Sequence, residues 1–201
     1  YYASRGLGDV YKRQDFILAL AMPLTVGLIF TSPSVILLLS GESFAPAILT
    51  SQIVALNILM VGISGVMGLQ VLYPMGRINI VILCTFIGAV VNVVLNVLLI
   101  PVYGHNGTAV AYMLAEVAVT VSMFIIGRRY IPIQFFKKEH LHYVLGSVVM
   151  GGCLCLISLL HLNSIATLLL MIIVGVFVYA IILLCLRNFI GMTLCGLIKR
   201  N

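Results

Sequence analysis

The residues best placed to do chemistry in this sequence are polar side chains set inside long apolar runs. Glu116 is the acidic group that lies deepest in such a run, with Thr108, Tyr112 and Thr120 at intervals of four around it. On a helix those four positions share one face. Thr85, Gly88, Asn92 and Asn96 follow spacings of three, four and four and form a second such face. Asn57, Ser64 and Gly68 lie near one face of a third run. Amide, hydroxyl and carboxyl groups at these positions can bind a polar ligand, relay a proton or hold helices together by hydrogen bonds. The sequence has no HExxH, no Gly-rich phosphate loop, no GxSxG and no paired carboxylates. His140-x-His142 sits at the edge of an apolar segment beside Lys138 and reads as a flank, not a metal ligand pair. No enzymatic activity, metal or cofactor is therefore expected.

The elements that must position these residues follow from composition. Of 201 residues, 63% are hydrophobic and only 8% charged, and the mean hydropathy is +1.24. Soluble domains carry about 25% charged residues. A chain so poor in charge cannot cover a water-facing surface, so its solvent is lipid. The net charge of +6 points to membrane topology and not to nucleic acid. The cysteines fall mostly in apolar runs without CxxC spacing and read as small buried hydrophobes.

A helix needs about 20 apolar residues to cross about 30 Å of hydrocarbon. Six runs qualify: Phe16 to Ser40, Ile48 to Met75, Ile80 to Ile100, Thr108 to Ile126, Tyr143 to Leu160 and Ile165 to Leu186. The expected fold is all-α, a polytopic membrane protein with about six transmembrane helices in one bundle. The runs are too long, and apolar on too many sides, for barrel strands of about 10 alternating residues. Pro74 with Gly76-Arg77, the stretch Pro101–Gly107 and the hairpin His161–Ser164 mark the turns. Pro23 and Pro33 predict a bend in the first helix.

Three segments are expected. Residues 1–14, YYASRGLGDVYKRQ, are polar and aperiodic and resemble translated adaptor sequence, a non-native leader. Residues 15–186 form the six-helix lobe. Residues 187–201 mix Phe189, Ile190, Leu194, Leu197 and Ile198 with polar residues and read as an interfacial amphipathic tail. All eight Lys and Arg residues beyond the leader fall after the second, fourth and sixth helices, on one face. The positive-inside rule makes that face, with the C-terminus, cytoplasmic.

Polar groups that faced lipid would be costly. The faces carrying Thr85, Asn92, Asn96, Asn57, Tyr112, Glu116 and Thr120 are expected to meet one another by interhelical hydrogen bonds, or to line a watery cavity.

Several local motifs carry a resemblance. They are Pro23-Leu24 with Gly27, then Leu39 to Ala47 (LSGESFAPA), then Gln70 to Arg77 (QVLYPMGR), and finally Asn92 to Pro101 (NVVLNVLLIP) leading through Tyr103-Gly104 and Asn106-Gly107 to Ala111 and Glu116. In order and spacing, Pro23 to Tyr130 resembles the C-terminal half of bacterial polysaccharide and O-antigen flippases. These belong to the multidrug/oligosaccharidyl-lipid/polysaccharide flippase superfamily. The resemblance implies one lobe of a two-lobe transporter in the bacterial inner membrane. It also implies a lipid-linked oligosaccharide as cargo, membrane lipids around the helices, and an N-terminal lobe of the same transporter as partner. None of the six runs contains Lys or Arg. Cations for a pyrophosphate headgroup are therefore expected from that other lobe. A drug or cation antiporter of the same superfamily, a membrane-embedded enzyme of glycan assembly and a non-transporting scaffold are the alternatives.

Overall fold

The computed structural model describes residues 2–130, 138–160 and 163–186. The described chain is helical and contains six helices long and apolar enough to cross a membrane. The protein is a multi-pass, all-α membrane protein. In lipid the backbone must satisfy its own hydrogen bonds, and a helix does so within one segment. This explains why β-branched runs such as that of Val90 to Val97 are helical here.

Helix α1 spans Tyr2–Ser40. It runs unbroken through the segment 2–14 and through both prolines. Thr25 donates to the Ala21 carbonyl (2.8 Å) and Thr31 to that of Gly27 (2.8 Å). A 3₁₀ turn, Glu42–Phe44, leads to α2, Ala47–Ala55. Then come α3, Asn57–Gly65, and a π-helical segment, Val66–Leu72. Helices α4 (Ile78–Tyr103) and α5 (His105–Gly127) form a hairpin, and α6 (Lys138–Ser158) and α7 (Ser164–Cys185) form another. The 187–201 tail and residues 131–137 of the Arg128–His142 loop lie outside the described residues, as do His161 and Leu162.

Packing divides the chain into two compact units. One contains residues 1–18 and 49–135, the other residues 19–48 and 136–201. In the first, Met67, Val71 and Leu72 of the π segment bury against Cys84 of α4 and Met123 of α5. In the second, Met150, Leu154 and Ile157 of α6 pack with Met171 of α7, flanked by Val26 and Phe30 of α1. Helix α7 is capped by Asn163, whose side chain accepts from the Ala166 amide at 2.8 Å.

Four features differ from the sequence expectation. The Pro101–Gly107 stretch is not a loop. Helix α4 runs on through Pro101, and a single residue, Gly104 at φ +55°, reverses the chain. Ending α4 earlier would expose more unpaired backbone to apolar surroundings, and glycine adopts positive φ without steric penalty. The hairpin closes on small residues. Gly107, Ala111 and Ala115 recur every four residues on α5 and are all buried. A Cβ at Gly107 would lie 2.5 Å from the Leu99 carbonyl oxygen. Helix α6 starts at Lys138, about a turn and a half before the expected Tyr143. Of the four described cysteines only Cys84 is buried, and Cys155 and Cys185 are exposed on apolar helices. The second span also differs, and its interruption belongs to the candidate site.

Candidate functional site

The second span reads as one apolar helix, but its hydrogen-bond ladder changes pitch twice. At its first break the Leu56 amide reaches back only three residues, to the Ile53 carbonyl (3.2 Å). Further on, the ladder widens to π geometry, with the Tyr73 amide bonded to the Gly68 carbonyl five residues back (2.9 Å). The composition explains the weakness. Asn57 has low helix propensity, and Gly62, Gly65 and Gly68 lower it further through the middle of the span. The span then ends cleanly. Gly76 at φ +70° lets its own amide bond Tyr73 (3.0 Å) and the Arg77 amide bond Leu72 (2.9 Å), a Schellman closure. Short π segments inside α-helices recur at functional positions.

Asn57 opens α3 at the first break. Its residue surface is 97% buried (3% exposed), and neither its amide oxygen nor its amide nitrogen has a hydrogen-bond partner in the protein. A buried amide without a partner costs about 1–3 kcal/mol, so its retention calls for an explanation.

Helix α5 runs alongside the broken span in the same direction. At one end Thr50 of α2 donates to Asn106 Oδ1 (2.6 Å) and lies 2.6 Å from His105 Nδ1. Farther along, Thr120 reaches the Met60 carbonyl of α3 (3.4 Å) as well as that of Glu116 on its own helix (2.8 Å). Asn57 lies about one turn before Met60, and Glu116 about one turn before Thr120. The orphaned amide and the acidic side chain are therefore at the same level of parallel neighbours. Glu116 is half-buried, and among the described residues its carboxylate has no cationic partner within its span. At the opposite end of this unit, the Arg77 guanidinium stacks over the Tyr130 ring at 4.6 Å.

The sequence-derived site residues therefore separate into groups. Thr120 bridges Glu116 of its own helix and Met60 of α3, and Asn57 lies about one turn from Met60 at the break. Tyr112, one turn from Glu116, is 39% exposed and lies on the outside of the hairpin. Thr85 is exposed. Asn96 donates to the Asn92 side chain (3.0 Å) and carbonyl (2.8 Å), a bond along one helix. Thr120 bonds across to a backbone carbonyl of α3, whereas this asparagine pair bonds along its own helix. It is Gly88, on the same face of α4, that meets α5: a Cβ there would lie 2.2 Å from Val119 and 3.3 Å from the Ala115 carbonyl. A small residue between two polar ones brings the backbones together and leaves the longer amides beside the contact.

Sequence reasoning missed the Thr50–His105–Asn106 cluster, because Asn106-Gly107-Thr108 reads as a turn and not as the start of a helix. It also missed a long-range bond from Tyr179 to the Ala19 carbonyl (2.6 Å). Among the described residues no three His, Cys, Asp or Glu side chains gather in a metal-binding group. The chain matches no protein family, no curated protein and no solved structure among those compared.

Proposed function

We propose that this chain is the C-terminal lobe of a transporter that carries lipid-linked oligosaccharide across the bacterial cytoplasmic membrane during polysaccharide biosynthesis. The observation that carries the reading is the interrupted second span, with its buried, unpartnered Asn57 level with Glu116. Transporters build substrate and ion sites from discontinuous helices near the bilayer midplane, where broken backbone and polar side chains face a cavity and not lipid. The cargo class rests on the resemblance of Pro23 to Tyr130 to polysaccharide flippases. The pyrophosphate headgroup would be held by cations of the N-terminal lobe, since the polar groups gathered here are an amide, a carboxyl and hydroxyls. The cargo would move by alternating access, the two lobes rocking around it.

Sidedness follows from charge. Arg77, Arg128 and Arg129 share the end of the first unit where Arg77 stacks on Tyr130, and Thr50, His105 and Asn106 share the other. By the positive-inside rule the arginine end and the C-terminus are cytoplasmic. A reporter that works only outside the cell is expected to be silent when fused after Lys138 and active when fused after His105. The reverse pattern would invert the whole account.

The function itself is tested by inactivating the gene in its native host. The expected result is loss of surface polysaccharide with build-up of its lipid-linked precursor, restored by the intact gene. Normal polysaccharide together with new sensitivity to small organic cations would indicate the antiporter instead.

A further inference from the structure

Helix α1 contains a backbone defect with a purpose-built partner on another helix. Proline has no amide hydrogen, so Pro23 leaves the carbonyl four residues earlier, that of Ala19, without its helical donor. In apolar surroundings an unsatisfied carbonyl is costly and must be met by another group. The group that meets it is the phenol of Tyr179 on α7, at 2.6 Å. The rest of the site is shaped around that ring. Gly146 of α6 leaves the space it occupies: a Cβ there would stand 3.1 Å from Tyr179 Cε2 and 3.2 Å from Cδ2. Gly151, about a turn and a half farther on, lets α6 lie against α1, since a Cβ there would meet Val26 at 3.0 Å and Phe30 at 3.4 Å. Just past the proline, the buried Thr25 hydroxyl holds the Ala21 carbonyl.

We propose that Tyr179 is a releasable clasp on a proline hinge in α1: its hydroxyl substitutes for the missing Pro23 amide, and its departure lets α1 bend there. The contact differs from a backbone hydrogen bond in one respect that matters. A backbone amide cannot leave its carbonyl without unwinding the helix, whereas a tyrosine hydroxyl leaves by a shift of α7 or a turn of its ring. The defect is thus closed only while α1, α6 and α7 keep this packing. Three residues take distinct parts. Pro23 makes the hinge, Tyr179 closes it, and Gly146 seats the ring. The inference stands on these contacts alone and does not depend on the cargo.

The test is a double-substitution cycle on the full chain in lipid nanodiscs, read by hydrogen–deuterium exchange of the α1 amides from Leu24 to Gly27. Tyr179→Phe is expected to speed their exchange at least tenfold when Pro23 is present. In the Pro23→Ala background the new amide satisfies Ala19 itself, and the same substitution is expected to change exchange less than twofold. Pro23→Ala alone is expected to slow exchange. Gly146→Ala, which crowds the ring and leaves the hydroxyl in place, is expected to reproduce the Pro23-dependent acceleration. A Tyr179→Phe chain that folds only together with Pro23→Ala would equally support the clasp. An effect of Tyr179→Phe that is equal in both backgrounds, or absent from both, would overturn it, as would failure to fold in both.

Discussion

Replacing Gly107 by alanine is expected to destabilise the α4–α5 hairpin by about 1–3 kcal/mol or more, the range for overpacking a close contact. The methyl group would arrive 2.5 Å from the Leu99 carbonyl oxygen and 2.7 Å from its carbon. Both are backbone atoms, so no rotamer change relieves the clash, and the two helices must separate. That separation would also loosen Gly88 against Val119, because both close approaches lie on the same small-residue seam. Gly152→Ala is the control, since a Cβ there meets nothing within 4 Å. Detergent unfolding midpoints should fall clearly for the first variant and stay level or rise slightly for the second. Equal midpoints would mean that the seam is not the contact that holds the hairpin.

The second large effect is a split between stability and activity at the broken span. Asn57→Leu removes an amide that has no partner and puts a side chain of similar size in a site that is already buried. Removing such a group is neutral or stabilising for folding, by on the order of 1 kcal/mol. If the amide is kept for transport, export by the full-length protein should fall at least tenfold at normal abundance. Glu116→Gln keeps the shape of its neighbour at the same level and removes the titrating group. It should lower export with folding intact, whereas Glu116→Leu should lower export and detergent stability together. An Asn57→Leu protein that is less stable yet exports normally would assign Asn57 a structural role and remove the site.

Much of this architecture is legible in the sequence because lipid allows few solutions. Hydropathy locates all six spans, and Gly76 and Asn163 mark ends that the structure closes with a Schellman motif and a side-chain cap. The site is less legible. Residues 48–75 are apolar and uncharged, so they read as one helix, and only Asn57 and the run Gly62, Gly65, Gly68 hint at the change of pitch. The Pro101 to Gly107 stretch misleads in the opposite direction, since its turn residues suggest a loop. The surrounding medium favours helix, and one glycine suffices to reverse the chain. Spacing of four along α4 correctly puts Gly88, Asn92 and Asn96 near one face, but it does not reveal that the glycine makes the contact. The Tyr179–Ala19 bond joins residues 160 positions apart, and no periodicity within either helix could have paired them. Pro23 announces the defect, but its partner emerges only from packing.

The central proposal, that this chain is one lobe of a transporter moving lipid-linked oligosaccharide between leaflets, is tested most directly by where that lipid resides. The measurement is the fraction of lipid-linked oligosaccharide in the native host that is accessible to a membrane-impermeant glycan-cleaving enzyme added outside spheroplasts. It is made with the wild-type protein, without it, and with Asn57→Leu at matched abundance. The account predicts an accessible pool with the wild-type protein that collapses without it and with Asn57→Leu, while total lipid-linked oligosaccharide rises. An accessible pool that is unchanged when the protein is absent would contradict it.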